Sequence, residues 1–175
     1  QRPCFVGIGG TGVIGSALSQ VLAGRGIHYV SLSLSDDSRT ATRTNIHLDL
    51  AHSDGAKLRT HLDTIAVRHR IVGIFDILGI SGAPAQALSS FAQDHATPIA
   101  ILSSCLLYDH DGSGPVDETA PLFTPDTAAF PYITKKLNLE AMWQRSDAPW
   151  LVLRTHHVLG PGSALGCLPG HNRDP

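Results

Sequence analysis

The sequence predicts an α/β fold built on a doubly wound parallel sheet. Three observations point there: short, nearly continuous apolar runs alternate with stretches of helical periodicity, a glycine-rich turn joins the first run to the first helix, and the alternation continues along the chain. Right-handed crossovers between parallel strands give an expected strand order of 3-2-1-4-5-6.

Cys4 to Ile8 reads as a buried strand, followed by a helix over Gly12 to Ala23. Val13, Ile14, Ala17, Leu18, Val21 and Leu22 recur there at helical spacing, and Gly24 to Gly26 ends the helix. His28 to Leu34 is the second strand and completes a βαβ unit. Thr44 to Leu50 is the third strand, and Asp54 to Leu62 a short helix capped by Ser53 or Asp54. Arg70 to Leu78 gives a fourth strand, Pro84 to His95 a helix, Pro98 to Ser104 a fifth strand, Pro131 to Arg145 a long helix, and Trp150 to Thr155 a sixth strand. Between them, Tyr108 to Phe130 is rich in Gly, Pro, Asp and Thr and long for a connection, which marks a functional loop. Residues 1–160 are expected to form one nucleotide-binding domain. Residues 161–175 are expected to begin a substrate-binding region, truncated or incompletely ordered, most of which is absent from the chain.

With 175 residues, 42% of them hydrophobic and 16% charged, the chain can bury one sizeable core. A formal net charge of -2 leaves no basic footprint, so no nucleic-acid partner is expected. No apolar run approaches the ~20 residues that span a bilayer, so no membrane partner is expected either. Cys4, Cys105 and Cys167 stand at unrelated spacings and indicate neither disulfides nor zinc; a cytoplasmic location fits them. The ten histidines are scattered, and the adjacent pair His156-His157 has no third ligand at suitable spacing, so no metal is expected.

The chemistry begins at Gly9-Gly10-Thr11-Gly12-Val13-Ile14-Gly15. Gly9, Gly12 and Gly15 form a GxxGxxG, and Gly10, Gly12 and Gly15 also satisfy GxGxxG, so two registers of a phosphate-binding fingerprint overlap. A Cβ there would block the tight turn and the approach of phosphate to backbone N–H groups. The following helix points its positive end at the anion. These seven residues are the expected grip on NAD or NADP. At the end of the second strand, where a carboxylate would bond the ribose of NAD, the chain has Ser33, Leu34 and Ser35, with Asp36 and Asp37 just beyond. Ser33 is the expected cofactor contact. The serines with Arg39 or Arg43 could instead receive a 2′-phosphate, so NAD against NADP stays open.

Tyr132 and Lys136 are four apart near the start of the long helix and project from one face. A lysine ammonium and a cationic nicotinamide would favour the phenolate, making Tyr132 an acid/base as hydride moves. Ser103-Ser104 ends the fifth strand at the carboxyl edge of the sheet, where open α/β folds bind ligands. Ser104 is the expected holder of the substrate oxygen.

In that order, these motifs resemble the short-chain dehydrogenase/reductase superfamily, specifically its extended or atypical NAD-dependent epimerase/dehydratase branch, and the likeness covers almost the whole chain. The glycine turn looks like that family's cofactor turn. His47-Leu48-Asp49-Leu50 looks like its segment whose aspartate meets adenine, which implies Asp49 and Leu50 as cofactor contacts. Ser103-Ser104-Cys105-Leu106-Leu107-Tyr108 resembles its Ser-Ser-x-x-x-Tyr, with Ser104 at the catalytic position. Gly114-Pro115-Val116-Asp117-Glu118 with Pro121-Leu122 is similar to its loop before the active-site helix. Tyr132, Lys136, Leu137 and Glu140 match its Tyr-x-x-x-Lys-Leu-x-x-Glu, which implies that Lys136 also holds the cofactor ribose. The stretch from Leu153 to Gly162 looks like the segment bordering the nicotinamide, which implies His157 as a cofactor contact.

The departures are specific. Thr155 stands where the family has proline, and the histidine pair after it is unusual. Phe75-Asp76-Ile77-Leu78-Gly79 replaces a His-Leu-Ala-Ala type segment, as in atypical branches with non-catalytic or RNA-associated members. Cys105 and Leu106 replace the Asp-Glu acid pair of sugar-nucleotide dehydratases, which disfavours a 4,6-dehydration. The resemblance implies a Rossmann-fold, NAD(P)-dependent oxidoreductase or epimerase, a homodimer among its assemblies, with Ser104, Tyr132 and Lys136 acting on a nucleotide sugar or specialised metabolite. The rival expectation is a non-catalytic nucleotide-binding regulatory or RNA-associated protein.

Overall fold

The computed structural model describes residues 1–36, 38–50 and 53–160; the expected second region, 161–175, lies outside them, as do Asp37 and Cys167. The elements are β1 (Arg2–Ile8), α1 (Val13–Gly24), β2 (His28–Ser33), β3 (Ser38–Arg39), β4 (Arg43–His47), α2 (Gly55–Arg68), β5 (His69–Asp76), α3 (Ala83–Asp94), β6 (Ile99–Ser104), a 3-10 turn over Cys105–Leu107, α4 (Pro131–Gln144) and β7 (Trp150–Thr155). They form a seven-stranded sheet in the order β3-β4-β2-β1-β5-β6-β7. The six longer strands pair in parallel and follow the order expected from the sequence. The seventh, β3, is an antiparallel edge of two residues, too short for periodicity to reveal.

Several boundaries differ from expectation, three of them as follows. The third strand of the sequence reading ends at His47, not Leu50. The helix after it runs to Arg68 instead of Leu62, because Ile65 falls on the buried face already set by Leu58 and Leu62. Its cap is Asp54, whose Oδ1 accepts from the Lys57 N–H at 2.9 Å. The fourth expected strand stops at Asp76 rather than Leu78: the Asp76 carboxylate accepts from the Gly79 and Ile80 N–H groups, each at 2.9 Å, and bends the chain.

Parallel strands need both faces covered, and the core follows from that. Val6, Ile8, Val30, Leu32, Ile74, Ile99 and Ile101 of the sheet cluster with Leu58 and Leu62 of α2, Leu88 and Phe91 of α3, and Leu139 and Trp143 of α4. Each such side chain contributes about 1.5–3 kcal/mol when fully buried. Among the described residues, no helix is long and apolar enough to cross a membrane. Cys4 and Cys105 are free thiols, and burial pushes Cys4 up to about 11.

Leu62, fully buried, and Val67, exposed on the same helix, separate packing from propensity. Leu62→Ala is expected to lower stability by about 2–5 kcal/mol in urea unfolding, and Val67→Ala to change it by no more than about 0.5 kcal/mol. Equal effects would contradict this core.

Candidate functional site

All six parallel strands end at one edge, which gathers the glycine turn, Asp76, Ser104 and Thr155. In the turn, a Cβ on Gly15 would collide with the backbone of Gly10, so the first turn of α1 rests directly on the loop before it. Ser16 Oγ donates to the Thr11 carbonyl at 3.2 Å and fixes that geometry. Gly12 is the N-cap, with no side-chain cap bond and no acidic residue in the first helical turn. A Cβ there would meet nothing within 4 Å. The helix N-terminus therefore faces open space of the kind an anion fills, and the residues present fit a pyrophosphate.

Gly9, Thr11 and Gly12 share a cavity of about 300 Å³ with Ser33, Asp49 and Leu50. A second cavity of about 410 Å³, lined by Ser53, Gly79, Ile80 and Lys135, shares Leu50 and Leu78 with it. Together they make a cleft along the strand ends. The structure thus brings together six of the residues expected to hold a cofactor, while Gly10, Val13, Ile14 and Gly15 do not line it. Ser33 also donates to Asn45 Oδ1 at 2.9 Å, and the Asn45 amide donates to the Ser35 and Asp36 carbonyls. Arg39 and Arg43 are corrected: Arg43 opens β4 and Arg39 pairs with Thr44, so both lie towards the opposite edge and leave Ser33 without a guanidinium for a 2′-phosphate.

Lys136 is buried on α4 behind Gly79, which lines the second cavity; Lys136 itself lines neither. Its Nζ donates to the carbonyls of Leu102 at 3.0 Å and Leu78 at 3.3 Å, and lies 5.9 Å from the centre of the Tyr132 ring. Gly79 makes the seat: its φ of +61° lies in the left-handed region, and any Cβ would fall on the ammonium. Burial lowers the Lys136 pKa, while the Asp76 charge opposes the fall. Asp76 is fully buried, and burial pushes its carboxyl up to about 7 against the pull of its two N–H donors and Lys136. Sequence reasoning noted Asp76 and Gly79 as departures and gave them no role; the available signal was a carboxylate ending an apolar strand just before a glycine.

Ser104 is buried at the end of β6, and its Oγ accepts from the Leu106 N–H at 3.2 Å, capping the 3-10 turn. Tyr132 is 47% exposed. Lys136 lies near both, its ammonium 5.9 Å from the Tyr132 ring centre and bonded to the carbonyl two residues before Ser104. Beyond them, a cavity of about 700 Å³ is walled by Cys105, Leu106, Tyr108, Phe130, Arg154 and His156, among others. Arg154 makes a two-pronged ion pair with buried Glu140, at 3.1 and 2.8 Å, and donates to Tyr108 Oη at 3.0 Å. The carboxylate raises the already high Arg154 pKa, so this wall keeps its charge. Thr155, in place of proline, donates to the Ser103 carbonyl at 3.2 Å and ties β7 to β6. His157 is exposed, edge-on to His156, and lines neither cavity of the cleft. Among the described residues, no group of three or more His, Cys, Asp or Glu is placed to hold a metal.

The fold is a Rossmann-type doubly wound domain. No family model and no curated protein matches the chain. Solved structures do. UDP-glucose 4-epimerase from Brucella ovis in complex with NAD is similar at a TM-score of 0.65 and 20% identity, over 88% of this chain and 51% of that one. The Bordetella bronchiseptica enzyme WbmG in complex with NAD and UDP gives 0.68 and 17%, over 88% and 53%. UDP-glucose 4-epimerase from Bifidobacterium longum in complex with NAD+ and UDP gives 0.66 and 16%, over 86% and 52%. This chain spans about half the length of those it matches.

The raised Asp76 pKa has a consequence for stability. Its contribution is fully present below about pH 4 and is lost as the pH rises through about 7, because the folded chain holds the proton to higher pH than the unfolded chain. Asp76→Asn, which never ionises, is expected to gain on the parent by about 4 kcal/mol across that window in urea unfolding at fixed ionic strength. A stability difference that does not change with pH would contradict it.

Proposed function

We propose that the chain forms the nucleotide-binding part of an NAD-dependent enzyme of the short-chain dehydrogenase/reductase superfamily, in its extended epimerase/dehydratase branch. The observation that carries this reading is an uncapped helix N-terminus at Gly12 that opens on a cavity shared with Ser33, Asp49 and Leu50, with the buried Lys136 ammonium seated behind Gly79 of the adjoining cavity. NAD is favoured over NADP because Arg39 and Arg43 stand away from Ser33. Gly9, Thr11 and Gly12 would meet the pyrophosphate, and Ser33, Asp49 and Leu50 the adenosine side.

The chemistry proposed is oxidation or reduction at a hydroxyl-bearing carbon of a nucleotide sugar. Bound NAD supplies a hydride acceptor. Lys136, fixed by the Leu78 and Leu102 carbonyls, would bond ribose hydroxyls and hold positive charge beside Tyr132. Tyr132, open to the solvent side, would take the proton from the substrate hydroxyl and return it. Ser104 would orient the substrate oxygen, which requires its hydroxyl to keep the Leu106 N–H while donating outward. The sugar would enter the larger cavity beside Arg154. With Cys105 and Leu106 where dehydratases carry acids, epimerisation or simple reduction fits better than 4,6-dehydration.

The test is a panel of UDP-sugars with NAD, followed by nicotinamide absorbance and product analysis. Tyr132→Phe is expected to lower turnover by at least about a hundredfold while leaving NAD affinity in place. NAD binding with no turnover by the parent would support the non-catalytic nucleotide-binding reading instead.

A further inference from the structure

The edge opposite the cleft carries positive charge that the proposed activity does not use. Four adjacent parallel strands begin on a basic residue: Arg2 in β1, His28 in β2, Arg43 in β4 and His69 in β5. Neighbouring strands lie about 4.8 Å apart, so Arg2, His28 and His69 form a row on one face, while Arg43, in register with Tyr29, lies on the other. Arg39 of β3 and Arg68, the last residue of α2, add to it. Among the described residues, no carboxylate pairs with Arg2, Arg39, Arg43 or Arg68. The chain as a whole is net negative, so composition does not account for this concentration.

Part of the row encloses a small cavity of about 70 Å³, whose apolar floor of Val30, Ile46 and Ile65 is rimmed by Arg39, Arg68, His69, Thr44 and Thr64. His28, only 2% exposed, stacks on His69 with ring centres 5.2 Å apart and planes at 16°. Its Nε2 lies 3.0 Å from the Thr44 hydroxyl, and the Nδ1 atoms of both rings are buried without a hydrogen-bond partner. Burial lowers both imidazole pKa values, and the neighbouring cations lower them further: Arg2, His69 and Arg39 act on His28, and Arg39, Arg2 and Arg68 on His69. Cations crowded this way without counter-charge favour an anion.

We propose that this pocket is a binding site for one small phosphate-type dianion, free or carried by a metabolite, at the edge of the sheet away from the nucleotide cleft. Arg39 and Arg68 supply charged donors and Thr44 a hydroxyl that His28 holds in place, whereas the Thr64 hydroxyl already donates to the Thr60 carbonyl at 2.7 Å. An anion stabilises the imidazolium forms, so binding takes up protons and tightens as the pH falls through the histidine range. Arg2 from β1, Arg39 from β3 and Arg68 from α2 face the two rings and oppose their protonation until the anion arrives.

The experiment titrates the whole chain with inorganic phosphate, and with sulfate, which stays dianionic throughout, by calorimetry and by NMR of the histidine side chains. Expected are saturable binding, sulfate affinity at least about tenfold higher at about pH 5.5 than at about pH 8, and two imidazole titration curves moved to higher pH. The R39A/R68A variant, which changes exposed residues, is expected to lose at least about tenfold in affinity while binding NAD as the parent does. Unmoved histidine curves, no pH dependence, or full affinity in that variant would overturn the site. Binding to phosphatidic acid vesicles with no uptake of the free ions would also overturn it, in favour of a lipid headgroup. NAD binding is read separately, so failure of the nucleotide proposal leaves this result interpretable.

Discussion

The first turn of α1 lies directly on the backbone of the glycine turn, and the nucleotide edge depends on that contact. Because Gly15 offers no Cβ to the Gly10 carbonyl, the helix starts close to β1 and aims its free N–H groups along the strand ends. Without side-chain capping at Gly12, the positive end of the dipole is left for an external anion. The cavity that opens there adjoins, at Leu50 and Leu78, a second one lined by Gly79, and behind that glycine sits a second electrostatic device, Lys136.

The second device is buried, and burial is what makes it exacting. An ammonium in the protein interior needs acceptors, and Lys136 finds them in two carbonyls, one just past β5 and one within β6. Asp76 shapes this seat by folding Gly79 and Ile80 over its carboxylate. Its charge helps the lysine stay protonated, and the lysine helps the carboxyl stay ionised. The opposite edge shows the reverse condition, with cations collected and no anion supplied by the chain. About six residues of strand, roughly 20 Å, separate the two.

Much of this was legible in the sequence because parallel strands buried on both faces read as apolar runs, and because glycines announce close backbone approach. The strand order and the close packing of the glycine turn followed from those signals. What escaped was set by partners distant in sequence. Asp76 ends its strand through bonds to residues 79 and 80, and Lys136 is held by carbonyls 58 and 34 residues away. The reading of Arg39 and Arg43 as phosphate ligands beside Ser33 failed for a related reason: proximity along the chain ignored that β4 runs parallel to β2 and starts at the far edge. Thr155 looked anomalous until its bond to the Ser103 carbonyl gave it a structural task.

The central claim is that the space beyond Gly12 receives the pyrophosphate of NAD. Calorimetric titration of NAD into the parent and a Gly12→Val variant tests it most directly, since Gly12 has an extended backbone conformation and a Cβ there meets nothing within 4 Å. The account predicts that the variant folds with stability within about 1 kcal/mol of the parent and loses NAD affinity by at least about a hundredfold. Undiminished NAD binding by a folded Gly12→Val protein would contradict it.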